Sequence, residues 1–290
     1  MTEPATRHAL ACGRAAARAL ALSGRVLAAF ERSVYVETPA GLACLGEIGR
    51  GPLNLCLDGP PPRLVPGDAV ARDGATLRVG RALSVALTES APWHPPPMPP
   101  WQFPRLRAGL AAIASLGAPS DGLAPLLAPL AAHRQVLPAF DDPVLARAGP
   151  ALARLAAWTT VPDGDVSFLA PLAGLGPGLT PSGDDAVGGA LIAARAFGFA
   201  AEADTIAASV AGWPEGATGA ISRAHLRAAA EGEGMAALHD ALAAIASGDG
   251  TRIAAASRTL GAIGHSSGWD ALAGAVAMLA GLAARPDAVA

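Results

Sequence analysis

The 290-residue chain contains no lysine; all 21 of its basic residues are arginine. That absence excludes a lysine Schiff base, a lysine general base and the phosphate-binding lysine of a Walker loop. Basic residues do not outnumber acidic ones: the net charge is −3, which leaves no broad basic surface and argues against nucleic acid as a partner. Cysteine is scarce. Cys12, Cys44 and Cys56 are odd in number and form no CxxC pair, so they read as small core residues in a reducing compartment, not as a disulfide framework. Long uncharged apolar runs are also missing. No stretch reaches the roughly 18 residues of a membrane span, and Arg7, Arg14, Arg18 and Arg25 interrupt the N-terminal segment where a signal peptide would need an apolar core. Together these absences lead us to expect a soluble cytoplasmic protein that binds no membrane.

What is present in quantity is apolar residues (52%), with 34 glycines and 26 prolines. The excess of Ala, Gly, Pro and Arg has the look of a GC-rich coding bias, so alanine counts for little as helix evidence. The length allows about two domains. Residues 5–22 read as one helix, and 1–23 as an N-terminal helical segment. From 24 to 90 the texture changes to short, partly alternating runs ("RVLAAFE", "SVYVET", "LACLG", "LNLCL", "DAVAR", "ATLRV", "ALSVAL"), many of them separated by Gly and Pro. That is the pattern of a β-rich small barrel or sandwich, with Asp73-Gly74 as a hairpin turn. "APWHPPPMPPWQFP", residues 91–104, is too rich in proline to be helical and reads as an extended linker carrying Trp93, Trp101 and Phe103.

After residue 105 apolar residues recur at three- and four-residue spacing. Helices are predicted at 105–116, 120–133, 142–158, 165–171, 183–198, 200–211, 221–231, 234–247, 250–262 and 267–284. The fold class is therefore α+β by segregation, strands first and a larger all-α domain (105–290) after.

One stretch stands apart. "GLGPGLTPSGDD", residues 174–185, is a glycine-rich loop running straight into a helix. Free backbone N–H groups and the positive end of the helix dipole make such a place an anion site. Gly176, Gly178 and Gly183 supply open backbone, and Thr180 and Ser182 supply hydroxyls. A capping box formed by Ser182 and Asp185 accounts for those two residues structurally. It does not account for Asp184, which we therefore expect to act in the site, with Asp184→Ala costing no more than about 1 kcal/mol of stability. The motif recurs: "SGDDAVGGA" at 182–190 and "SGWDALAGA" at 267–275 agree at six of nine positions. Two helix N-termini of similar build, related by a local pseudo-two-fold and facing one site, are the expected arrangement. Gly189 and Gly274 would allow the helices to approach closely.

His265, Ser266 and Ser267 precede the second copy. If the two N-termini converge, His265 meets Asp184, Asp185 and Asp270 beside several N–H donors, a set suited to acid–base work on an anion. The candidate catalytic residues are thus Asp184, Asp185 and His265. The candidate anion-binding residues are Gly176, Gly178, Thr180, Ser182, Gly183, Ser266, Ser267, Asp270 and Arg223, the last one helical turn from Arg227 and able to clamp an anion with it. No dedicated metal site is expected, although Asp184-Asp185 beside a phosphate cradle also suits Mg²⁺.

"GLGPGLTPSGDDAVGGAL" followed by "GHSSGWDALAGAV", with "ISRAHLRAAAEGEGMAALHDAL" between them and "GPLNL" upstream, resembles the AllH-type family, long catalogued as a domain of unknown function. One group in it is named as a subunit of oxamate carbamoyltransferase. The resemblance implies a carbamoyltransferase-type enzyme or subunit working with other subunits on carbamoyl phosphate and a 2-oxo acid amide such as oxamate, in allantoin breakdown. A non-catalytic metabolite- or partner-binding subunit and a Mg²⁺-dependent phosphoryl-transfer enzyme are the alternative readings. The family positions include Pro181 and Gly268 as well as the residues above. Ala186 stands where a bulky residue is usual, and Trp269 where a small or polar one is common.

Overall fold

The computed structural model describes residues 3–88, 90–117, 119–134 and 136–285. The chain divides into two compact units, Met1–Pro95 and Pro96–Ala290.

The first unit is a closed barrel. Its strands are β1 (Ala5–Gly13), β2 (Gly24–Ala29), β3 (Ser33–Thr38), β4 (Gly41–Gly46), β5 (Asn54–Leu57), β6 (Ala69–Asp73), β7 (Thr76–Val79) and β8 (Leu83–Ala86), with a short β9 (Ala91–Trp93) added beside β1. The order β5-β4-β3-β2-β6-β7-β8-β1 returns to its start because β1 also pairs antiparallel with β5. Alternation sets which face points inward: Val34 and Val36, Leu55 and Leu57, Leu77 and Val79, and Leu83 and Val85 all fill the interior. Asp73 pairs with Thr76 across the expected hairpin turn, where Gly74 has φ 58°. The barrel half of the barrel-or-sandwich expectation is the one realised.

The helix expected over 5–22 is not formed. Residues 5–13 are β1, and only Arg14–Ala19 is helical (α1). Alanine favours helix locally, but β1 is the closing strand and needs small inward residues. Ala9 is fully buried, and any side chain at Gly13 would run into the backbone of Gly51 and Pro52. Pairing on both edges outweighs local propensity. Cys44 and Cys56 are buried and Cys12 half-buried, all as free thiols. Burial pushes Cys12 up to about 11 and Cys44 up to about 12, so neither is a thiolate at neutral pH.

The second unit is helical: α2 (Phe103–Ala114), α3 (Leu127–Ala131), α4 (Pro143–Thr160), α5 (Ser182–Ala196), α6 (Ala200–Ala211), α7 (Ala220–Ala230), α8 (Ala236–Ser247), α9 (Gly250–Gly261) and α10 (Ser267–Ala284). Two expected helices are realised as tighter turns. Over 120–133, Pro125 and Pro129 each remove a donor, leaving a 3₁₀ turn (Ala124–Leu126) and the short α3. Over 165–171 the chain forms a 3₁₀ stretch, Ser167–Leu172, that contains Pro171. The expected linker contributes β9 at its start, and α2 begins two residues early at Phe103. Trp101 is anchored by Phe103, Phe197 and Phe199, with ring centroids 5.2, 5.1 and 6.2 Å away.

At the centre, α10 packs on α5 and α4. It is 18 residues long and apolar enough by composition to cross a membrane, but nearly all of it is buried within this unit. A helix apolar on every side is the core helix of such a bundle.

Candidate functional site

The close pairing of α5 and α10 is made by the repeated motif itself. A side chain at Gly189 would fall onto the Ala271 carbonyl, and one at Gly274 onto the Ala186 carbonyl. Ala186 and Ala271 occupy the same position in the two copies, as do Gly189 and Gly274, so the contacts are reciprocal. The pattern continues at the helix starts. Gly183 packs on the Leu172 carbonyl and Gly268 on that of Leu260. Across the pair, the Ser267 hydroxyl acts on the Asp185 carboxyl, and the Ser182 hydroxyl on that of Asp270. Thr180 Oγ1 and Ser267 Oγ are 3.1 Å apart. The two N-termini therefore converge.

No capping box forms at α5: Pro181 is the cap residue, Ser182 is the first helical residue, and no side chain caps the end. Nor does Ser266 cap α10; its hydroxyl instead donates to Asp270 Oδ2 at 2.8 Å. Among the described residues, the backbone N–H groups of Ser182, Asp184, Ser267 and Trp269 donate to no acceptor, whereas Gly183 N donates to Leu175 O at 2.9 Å and Gly268 N to Ile263 O at 3.3 Å. The open donors are at matching motif positions. Positive-φ glycines keep the first turns uncovered. A methyl at Gly176 (φ 108°) would sit 3.0 Å from Ser182 N, and one at Gly264 (φ 64°) 3.2 Å from Ser267 Oγ. Gly178, also at positive φ, faces open space.

The three carboxyls of this region have different surroundings. Asp184 is buried and accepts from Gly174 N–H (2.9 Å), from Ser222 Oγ (2.7 Å) and, at very short range, from Thr218 Oγ1. It ties the glycine loop and the start of α7 to α5. Asp270 is buried and accepts from Leu123 N–H at 2.6 Å and from Ser266. Burial pushes its pKa up, while the Leu123 N–H, the two serine hydroxyls and His265 pull it down. Asp185 differs from both. Its Oδ2 is buried and has no hydrogen-bond partner among the described residues, an arrangement that costs about 1–3 kcal/mol. Burial holds this carboxyl well above the usual carboxylate range; the nearby Ser267 and Thr180 hydroxyls oppose the shift, and the charges of Asp270 and Asp184 add to it.

Asp185, expected to be satisfied in a cap, is the unsatisfied one, and Asp184, which capping does not explain, is held by three donors. Thr218 and the Leu123 N–H were not picked out from the sequence. Thr218 lies two residues ahead of α7, where a hydroxyl before a helix start was the available signal. His265 is exposed at the lead into α10, near enough for its charge to act on Asp270. Arg223 reaches the Pro214 carbonyl (2.5 Å), and Arg227 is exposed. Trp269 turns its ring against Gly261 of α9, and Ala186 is small because the α10 backbone lies against it. Among the described residues, no three His, Cys, Asp or Glu side chains are grouped to hold a metal. A separate groove of about 640 Å³ beside α4 is mainly apolar, lined by Leu137, Phe140 and Ala153, with Arg154 as its charged residue.

An α+β protein with two converging helix starts, each leaving backbone N–H groups open, is the class that fold and geometry define. Residues 172–279 match the family described as oxamate carbamoyltransferase subunit AllH, which supports an AllH-type family assignment. The matched span lies within the helical unit and contains both motifs; the barrel strands and "GPLNL" lie outside it. No curated protein and no solved structure matches the chain.

Proposed function

We propose that this chain is a carbamoyltransferase-type subunit that binds a small carbamoyl-bearing anion, carbamoyl phosphate or a 2-oxo acid amide such as oxamate, between the starts of α5 and α10. The observation that carries this reading is the convergence of two helix N-termini whose N–H groups at matching positions have no acceptor. Carbamoyl transfer to an amide nitrogen forms a C–N bond, breaks the C–O bond to phosphate and releases a proton from the amide. The open N–H groups of Ser182, Asp184, Ser267 and Trp269 would hold the anionic group and stabilise the departing phosphate. In this reading His265, exposed on the lead into α10, takes the proton. Asp184 serves by holding the glycine loop in shape. The family description, which names a subunit, supports other subunits as partners.

The engagement of Asp184 and Asp270 in fixed hydrogen bonds favours a second reading, in which this chain binds the metabolite and another subunit performs the chemistry. Calorimetry of the full chain with carbamoyl phosphate and with oxamate tests the cradle. Transfer assays of His265→Ala, alone and with partner subunits, separate the two readings. Binding of neither ligand would overturn both.

A further inference from the structure

Asp184, Asp185 and Asp270 lie around one pair of helix starts, yet only Asp185 keeps a buried carboxyl oxygen without a partner. The residue as a whole is half-buried. It stands beside the Thr180–Ser267 hydroxyl contact, on the helix whose Ser182 and Asp184 N–H groups are open. A carboxyl in an anion cradle is a liability unless the ligand brings a donor to it. Phosphate alone is a poor match, because its negative oxygens would face the carboxyl. A ligand of the form H₂N–C(=O)–X, with X or its substituent anionic, is complementary: the anionic group meets the open N–H groups, and the amide N–H₂ meets the carboxyl.

We propose that the Asp185 carboxyl is the specificity determinant of the site, accepting an N–H from the ligand's primary amide while the two helix starts hold the neighbouring anionic group. This rests on the anion-cradle reading above. Burial, Asp270 and Asp184 all work against charge on Asp185, and an amide N–H brought by the ligand works for it. Ser267, Thr180 and Asp270 are the groups facing it from the loop and α10, and the charge of His265, on the lead into α10, acts on Asp270.

The test compares oxamate with pyruvate, which has a methyl group in place of the amide nitrogen, by calorimetry on the full chain. The wild type should bind oxamate at least about tenfold more tightly, since a site built around a hydrogen bond rejects the analogue lacking it. Asp185→Ala, or Asp185→Leu if the alanine variant folds poorly, should bring the two ligands to within about twofold, while Asp185→Asn, which keeps an acceptor oxygen, should retain a preference for oxamate. A wild type that binds both equally, or an alanine or leucine variant that keeps the preference, would overturn the role of Asp185 and leave the cradle standing. Binding of neither ligand would overturn the cradle, and this inference with it.

Discussion

Gly176 and Gly178 are two residues apart in one loop, with φ 108° and 97°, so alanine at either position meets similar backbone strain, about 1–3 kcal/mol. They differ in what the new methyl would touch. At Gly176 it would lie 3.0 Å from Ser182 N and 3.1 Å from Ser182 Oγ; at Gly178 nothing lies within 4 Å. Gly176→Ala therefore adds a cover over the first N–H of α5 to the strain that Gly178→Ala carries alone. Loss of one N–H bond to a charged ligand is worth about 1.5–3 kcal/mol, or roughly 10- to 150-fold in affinity. The assay is a thermal melt of each variant followed by calorimetric titration with carbamoyl phosphate. We expect comparable, modest losses of melting temperature and a selective loss of binding in Gly176→Ala. Equal affinities in the two variants would refute the claim that the N–H of Ser182 is a ligand-binding group.

Asp184→Ala strands the buried hydroxyls of Thr218 and Ser222 and the part-buried N–H of Gly174 and should cost at least about 2–3 kcal/mol, beyond the roughly 1 kcal/mol expected from sequence; a melting temperature near that of the wild type would contradict this. His239 is buried and accepts from Gly234 N–H at 3.3 Å through Nε2, and burial lowers its pKa from 6.5 to about 4. The unfolded chain then binds a proton below pH 6.5 that the folded chain refuses, so stability falls as pH drops from about 6.5 to about 4, by about 3 kcal/mol from this group. Chemical denaturation across that range should show a shallower pH slope in His239→Gln than in the wild type. Gly274→Ala forces a methyl against the Ala186 carbonyl and should destabilise by at least about 1–3 kcal/mol, with an unchanged melt as the contrary result.

Much of the fold could be read from the sequence, because β2 to β8 carry alternating branched residues and most of the helices carry their own punctuation. β1 could not. Its alanines are chosen for the tightness of the closing seam, a tertiary demand with no local signature. Proline positions were visible at 125, 129 and 171, but how far they tighten a helix into 3₁₀ turns depends on packing. At the site, the repeated S-G-x-D-A-x-x-G-A spacing did reveal that two helix starts belong together, because close approach needs glycine wherever it occurs. Which carboxyl would be left unsatisfied was hidden, since it depends on Thr218 and Ser222, more than thirty residues away, turning toward Asp184 and not toward Asp185.

The reciprocal contacts of α5 and α10 amount to an isologous interface folded into a single chain. Two equal halves, however well they grip, cannot distinguish head from tail in the molecule they hold. Orientation has to come from where the halves differ. Two residues ahead of the first serine of each helix, one lead-in carries Thr180 and the other His265; two residues beyond that serine stand Asp184 and Trp269. In the proposed site the helix starts would supply grip, and these four positions, with the unequal bonding of Asp185 and Asp270, would supply polarity. An exchange of Thr180 and His265 would then change direction more than strength.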